Sequence, residues 1–216
     1  MNQTIKRALT RRFPSISACY SLLANRDSYL HSSGWLESKR RGYPCRPDGS
    51  ELPWMNYAVV AFLERRLNKT LSVFEYGSGY STLFYARHAR SVISVEYDQA
   101  WYESIRPRLP PNASMLFVPQ DVDGDYCRAI TRTGDRFDVV IVDGRDRVNC
   151  VRQGIQALSS RGVIVLDDSQ RAKYAPALAY AQEDGFLSVD FDGLKPTDSS
   201  WCRSTILYRR ENCLGL

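Results

Sequence analysis

The stretch from Glu75 to Thr82 (EYGSGYST) holds the residue types best suited to binding a small ligand. Gly77 and Gly79 let the backbone turn sharply and approach a bound molecule closely. A helical pattern follows directly, so the free N–H groups of a helix N-terminus also face this turn. Glu96 follows the next apolar run, about 20 residues beyond the glycines, where an acid is placed to hold two ribose hydroxyls. This spacing predicts a nucleoside-binding loop; the alternative is a tight strand–helix turn with solvated acids.

Glu75 indicates which kind of nucleoside ligand the loop would bind. A carboxylate two residues before Gly77 would repel a pyrophosphate but favours a cationic ligand, such as a sulfonium that bears an amino acid. The loop also has Thr82 where a dinucleotide-binding loop has its third glycine. Both observations argue against a dehydrogenase that binds NAD.

Short apolar runs alternate with helical patterns from residue 70 onward, which predicts a doubly wound, mainly parallel α/β sheet. Strands are predicted at Leu71–Tyr76, Val92–Tyr97, Met115–Pro119, Phe137–Asp143, Val163–Asp167, Phe186–Asp192 and Ser204–Arg209. Helices are predicted at 81–89, 99–107, 125–132, 149–159 and 172–183, and a further helix is expected to open at Pro53. Ligands of such sheets bind at the carboxyl ends of the strands.

Acidic residues follow the fourth and fifth predicted strands. Asp143 ends the fourth, and Asp167 and Asp168 end the fifth, so the three side chains are expected to converge. The alternative for Asp168 is that it caps the next helix. Arg145 and Arg147 either pair with these acids or bind an anionic substrate.

These motifs resemble those of class I S-adenosylmethionine (SAM)-dependent methyltransferases over about residues 70–210. The resemblance implies a Rossmann-like, seven-stranded sheet with an N-terminal helical extension. It implies that Glu96 binds the ribose and that Tyr97 packs on the adenine. Asp121 and Val122 match the position where the family contacts the adenine; the alternative for Asp121 is that it caps the following turn. The cofactor-binding residues expected on this basis are Glu75, Tyr76, Gly77, Ser78, Gly79, Ser81, Thr82, Glu96, Tyr97, Asp121, Val122 and Asp143. The expected catalytic residues are Asp143 as base, Asp168 as the second candidate, and Arg145 as the group that orients the acceptor.

The acids at both strand ends are also similar to those of catechol-type O-methyltransferases, which hold magnesium there. Oxygen ligands suit Mg²⁺, and a vicinal diol would complete the coordination shell. This sequence departs from that pattern because Asp168 stands where those enzymes have Asn. A metal-dependent and a metal-independent site both stay open.

The chain has 216 residues and a net charge of +5, but the excess positive charge is confined to the N-terminal segment. Residues 1–50 hold nine Lys and Arg against three acids, a charge of +6, whereas the remainder is −1. Residues 1–53 are therefore expected to form a basic helical cap and loop before a SAM-binding domain at 54–216. This cap would meet an anionic acceptor or a membrane surface, or would serve solubility.

Six cysteines without a Cys-x-x-Cys pair, and only two histidines, argue against a structural zinc site and against Ser-His-Asp chemistry. Reduced thiols and the lack of a signal-peptide pattern predict a cytoplasmic protein. The favoured function is O-methylation of a small molecule or saccharide. The alternatives are a nucleic-acid methyltransferase, disfavoured because no Pro-Pro-aromatic sequence follows Asp143, and a non-catalytic cofactor-binding homologue.

Overall fold

The computed structural model describes Thr10 and residues 12–216, so Lys6, Arg7 and Arg11 of the basic segment lie outside the described residues. The strands are β1 (Ser72–Tyr76), β2 (Ser91–Glu96), β3 (Ala113–Phe117), β4 (Phe137–Val142), β5 (Leu158–Asp167), β6 (Leu187–Leu194) and β7 (Trp201–Tyr208). The helices are α1 (Pro14–Ala24), α2 (Tyr29–Ser32), α3 (Trp35–Arg41), α4 (Tyr57–Arg66), α5 (Tyr80–His88), α6 (Gln99–Ile105), α7 (Asp125–Arg132), α8 (Arg147–Ala157) and α9 (Ala175–Glu183). Within this part of the chain, none of the helices is long and apolar enough to cross a membrane.

The seven strands form one sheet in the order β3-β2-β1-β4-β5-β7-β6. Strands β1 to β5 are parallel to one another, and β7 pairs antiparallel with both β5 and β6. The direction of winding changes between β1 and β4, and their carboxyl ends lie side by side there. The predicted doubly wound, mainly parallel sheet is confirmed, and its switch point is where a ligand is expected.

The central strands are buried on both faces, which explains their unbroken apolar runs. Phe74, Val140 and Ile164 face a core formed with α7, α8 and α9. Their chain neighbours Val139 and Val163 face a second core formed with α4 and α5. Because successive strand residues point to opposite faces, both cores must be apolar.

The helix predicted to open at Pro53 begins instead at Tyr57, so that prediction was wrong. Asn56 caps the helix: its Oδ1 accepts a hydrogen bond from Val59 N at 3.0 Å. Its Nδ2 also donates to Phe191 O and to Ser204 Oγ, both at 2.9 Å. The helix therefore begins after Asn56 rather than at Pro53. The Asn56 side chain accepts a hydrogen bond from a free N–H group of the first helical turn, and the proline side chain has no acceptor for such a bond.

The boundary between α8 and β5 also differs from prediction. The helix predicted over 149–159 ends at Ala157, and β5 begins at Leu158 rather than at Val163. The register of β5 against β4 shifts between Phe137 and Val139, so the early part of β5 lacks regular pairing. This irregular stretch is polar and half-exposed, and apolar periodicity could not reveal it.

Several contacts tie the N-terminal segment to the sheet domain, among them an ion pair of Arg46 with Glu64. Glu51 receives ion pairs from Arg87 at 2.7 Å and from Arg108 at 2.9 Å. Trp35 donates its indole N–H to Asp198 O, in the β6–β7 connection, at 2.6 Å. These contacts hold residues 43–54 beside the carboxyl ends of the strands.

Replacing Asn56 with alanine is expected to lower the free energy of unfolding by about 2 kcal/mol, since it removes a helix cap and leaves buried polar partners unsatisfied. Urea unfolding monitored by circular dichroism measures the change. The exposed Asn68→Ala is the matched control and should change stability far less. Equal losses in the two variants would refute this account of the Asn56 cap.

Candidate functional site

The glycine loop between β1 and α5 packs directly on the end of β4. Gly77 has φ of +88°, and a Cβ there would lie 3.0 Å from the backbone of Gly144. Gly79 has φ of +150°, and its Cβ position is 3.1 Å from the Trp101 indole. Both glycines are therefore required by backbone conformation and by close approach.

Glu75 lies beneath this loop and is almost fully buried. Its carboxyl group accepts hydrogen bonds from the hydroxyls of Ser81 and Thr82, the latter at 2.6 Å. Burial raises the pKa of Glu75 to about 8, against the lowering effect of the two hydroxyls. Thr82 is buried with it, whereas Ser81 reaches the cavity described below.

Glu96, the last residue of β2, contacts the glycine loop through its side chain. Its Oε2 accepts from Ser78 N at 3.1 Å and from Ser78 Oγ at 2.9 Å. Its Oε1 accepts from the backbone N–H groups of Tyr97 and Asp98, both at 2.8 Å. The two parts of the sequence singled out for nucleoside binding thus meet directly.

These elements surround a cavity of about 510 Å³ at the switch point of the sheet. Binding sites for small molecules usually have volumes of about 300–1,000 Å³. The lining residues are Pro44, Leu52, Trp54, Gly77, Ser78, Gly79, Tyr80, Ser81, Glu96, Tyr97, Asp98, Trp101, Asp143, Gly144, Arg145 and Arg147. Sequence reasoning did not predict Pro44, Leu52, Tyr80, Asp98, Trp101 or Gly144 as lining residues. Two of them carried a signal, since Tyr80 lies within the glycine loop and Trp101 lies three residues after Asp98, which caps α6.

Arg145 stands at the mouth of this cavity. Its guanidinium donates to the Tyr97 hydroxyl at 2.7 Å and lies 4.8 Å from the centre of the Tyr97 ring. A cation in this position is available to an anionic or hydroxylated ligand.

The predicted convergence of the strand-end acids takes the form of a buried charge cluster. Arg147 donates to Asp143 Oδ1 at 2.8 Å and to Asp167 O at 2.6 Å. Lys195 Nζ lies 2.6 Å from Asp167 Oδ2 and 2.7 Å from Asp168 Oδ1. Asp167 is fully buried, whereas the Asp143 side chain keeps 24% exposure and reaches the cavity. Asp143 therefore connects the cluster to the cavity.

The surroundings of Asp143 and Asp168 shift their pKa values in opposite directions. Burial, reinforced by the charge of Asp167, raises the pKa of Asp143. Burial acts in the same direction on Asp168, but its hydrogen bond and ion pair with Lys195 outweigh it and lower the pKa of Asp168. Asp143 is thus the acid better suited to exchange a proton near neutral pH.

Besides Glu75 and Thr82, which lie buried beneath the glycine loop, three predicted cofactor-binding residues lie away from the cavity lining. Asp121 accepts hydrogen bonds from Asp125 N at 2.6 Å and from Tyr126 N at 3.2 Å, an arrangement that caps α7. Val122 is 80% exposed. The Tyr76 hydroxyl donates to the backbone in the core. Their predicted contacts with a cofactor stay predictions.

Asp168 also departs from the position expected of a catalytic group. Its carboxylate pairs with Lys195 and, at 2.7 Å, with Arg171, and it does not line the cavity. Nor does its side chain cap a helix, since its ion-pair partners are these two cations and, at 3.9 Å, Arg147.

The three strand-end carboxylates do not fit a magnesium site, because side-chain cations already occupy the space between them. Lys195 bridges Asp167 and Asp168, and Arg147 holds Asp143. Among the described residues, no group of three or more His, Cys, Asp or Glu side chains is arranged to hold a metal ion. The metal-dependent alternative that the sequence left open, with Mg²⁺ held by these acids, is therefore not supported.

No protein-family model and no curated protein matches the chain. Solved structures do share its fold. The O-methyltransferase TomG from Streptomyces achromogenes, solved with SAM, is 16% identical over 96% of this chain and 99% of its own, with a TM-score of 0.57. Cofactor-bound Rv0187 from MTB is 20% identical over 92% and 98%, with a TM-score of 0.54. The precorrin-6y C5,15-methyltransferase from Geobacter metallireducens is 15% identical over 70% and 88%, with a TM-score of 0.53. The chain therefore has the fold of class I SAM-dependent methyltransferases.

Replacing Lys195 with methionine is expected to lower the free energy of unfolding by about 3 kcal/mol, because it leaves Asp167 buried with less compensating charge. Urea unfolding measures the loss, and the exposed Lys173→Met is the matched control. An unfolding curve unchanged by Lys195→Met would show that the cluster does not depend on this cation. A rise in the melting temperature of the native protein with MgCl₂ would contradict the conclusion that Lys195 occupies the space in which a metal ion would bind.

Proposed function

We propose that this protein is a SAM-dependent methyltransferase that methylates a hydroxyl group of a small molecule or saccharide. The observation that carries the proposal is that the glycine loop, Glu96 and Asp143 border one cavity at the switch point. The proposed nucleoside site and a carboxylate suited to accept a proton thus share one cavity. A class I fold alone would not imply activity.

The proposed binding mode assigns a role to each side of the cavity. Glu96 would hold the ribose hydroxyls in exchange for part of its backbone hydrogen bonds, and Tyr97 would pack on the adenine. Glu75 would favour the positive charge of the methionine moiety through Ser81, which it already contacts. When bound, SAM supplies an electrophilic methyl group on a sulfonium.

Asp143 is the proposed base, since it is the strand-end acid that reaches the cavity. A raised pKa lets it take the proton of an acceptor hydroxyl without being a very weak base. Arg147 fixes its orientation through the 2.8 Å bond to Oδ1. Arg145 would orient the acceptor, and alignment supplies most of the rate advantage of a displacement reaction.

The acceptor is proposed to enter beside the N-terminal segment. Trp54 lines the cavity and is half-exposed, which suits stacking on a sugar or aromatic ring. A screen of hydroxylated acceptors for release of S-adenosylhomocysteine tests the proposed activity. If SAM binds and no acceptor is turned over, the non-catalytic alternative gains support.

Gly77→Ala is expected to weaken SAM binding at least about tenfold, because the new Cβ meets the Gly144 backbone and displaces the loop. Gly134→Ala is the matched control: Gly134 also has a positive φ, +73°, but its Cβ position has no neighbour within 4 Å. Isothermal titration calorimetry with SAM measures both variants. Similar affinities in the two would argue against a cofactor role for the glycine loop.

SAM binding at pH 6.5 is expected to release close to one proton. Glu75, with a pKa of about 8, is protonated before binding, and the incoming positive charge favours its carboxylate. Affinity should therefore rise as the pH approaches 8. The α-amino group of SAM stays protonated at pH 6.5. Calorimetry in two buffers of different ionisation enthalpy counts the protons.

The control for this measurement is a pair of variants. Glu75→Gln should remove most of the proton release, whereas the exposed Glu103→Gln should leave it intact. Unchanged release in Glu75→Gln would assign the proton to another group.

A further inference from the structure

Helix α1 exposes an apolar stripe that nothing in the described chain covers. Ile16, Tyr20 and Leu23 are 68%, 71% and 53% exposed. Their spacing of four and three residues places them on one helix face. No residue of Pro14–Ala24 is buried.

The composition of α1 is also unusual for a helix that faces water. Its sequence, PSISACYSLLA, contains no charged residue, whereas solvent-exposed helix faces are normally charged or polar. An exposed cluster of large apolar side chains indicates a binding surface.

α1 is attached to the body of the protein through its C-terminal end. Ser28 Oγ donates to Leu22 O at 2.6 Å, and the His31 ring nitrogen lies 2.8 Å from Leu23 O. These bonds use backbone carbonyls of the last turn, so they fix the helix without covering its apolar side chains.

The charges that precede α1 in the sequence identify the partner. Lys6, Arg7, Arg11 and Arg12 come directly before the helix, and residues 1–26 contain no acid. Basic residues beside an apolar helix face match an anionic bilayer, in which lipid phosphates pair with the cations and the stripe enters the headgroup boundary. A second copy of the chain would bring like charges together.

We propose that α1 docks this protein on the surface of an anionic lipid bilayer. The helix lies in the plane of the interface, since 11 residues span far less than the hydrocarbon core. The docking does not depend on the proposed methyl transfer, and it uses none of the cavity residues.

The test is co-sedimentation of the full chain with vesicles of phosphatidylcholine, with and without phosphatidylglycerol. The protein should bind only the anionic vesicles, and binding should weaken as salt is raised. The triple variant Ile16→Ser, Tyr20→Ser, Leu23→Ser should lose at least about tenfold in partitioning, since each apolar side chain contributes to insertion. Its melting temperature should match the native protein, because the three side chains are exposed in the free protein.

Two matched controls separate the apolar and electrostatic contributions. Val122→Ser, Leu187→Ser, Trp201→Ser removes exposed apolar side chains elsewhere and should not reduce binding. Replacing Lys6, Arg7, Arg11 and Arg12 with glutamine should abolish the preference for anionic vesicles. The same change at the exposed arginines Arg65, Arg106, Arg152 and Arg210 should reduce binding much less.

Three outcomes would overturn the proposal. The first is that the native protein does not bind anionic vesicles, and the second is that the α1 serine variant binds them as well as the native protein does. The third is that light scattering shows a dimer for the native protein and a monomer for the α1 serine variant. A second copy of the chain would then be the partner of the stripe.

Discussion

The burial of the Asp167 carboxylate at the end of β5 is the constraint on which the arrangement of the site depends. A fully buried charge is tolerated only when it is paired and hydrogen-bonded. Lys195 supplies the pair, and Ser204 Oγ donates to Asp167 Oδ1 at 2.7 Å. Ser204 in turn accepts from Asn56, the cap of α4. One carboxylate thus joins β5, β7, the β6–β7 connection and the helix that precedes the sheet.

The two halves of the cavity are stabilised by different interactions. On the side of β1 and β2, neutral donors of the glycine loop satisfy Glu96, and these bonds can be exchanged for ligand hydroxyls. On the side of β4 and β5, Arg147 and Lys195 neutralise the acids and leave no room between them for a further cation. Asp143 lies at the boundary, held by Arg147 yet open to the cavity, so its protonation responds to both sides.

The sequence was sufficient to predict the sheet, because buried parallel strands such as β4 must be apolar on both faces. It also predicted that Gly77 and Glu96 would lie close together, since Gly77 follows β1 and Glu96 ends the neighbouring strand β2. The start of α4 was mispredicted because Asn56, whose side chain bonds both the helix and β6, outweighs the preference of Pro53. Lys195 was missed as a partner of Asp167 because the two are far apart in the chain and lie on different elements. Only folding brings the long β6–β7 connection over the end of β5.

The anchoring of the β6–β7 connection has a consequence for the divergence of related proteins. Lys195 is buried against two carboxylates, whereas the side chains of residues 198–200 are exposed. The Trp35 indole N–H donates a hydrogen bond to the main-chain oxygen of residue 198, and any residue at that position would provide this oxygen. Asp198 also holds the loop through its side chain, because its Oδ1 accepts hydrogen bonds from Ser199 N at 2.7 Å and from Ser200 N at 3.0 Å. Divergence at the two serines, whose side chains are exposed, would leave this framework undisturbed.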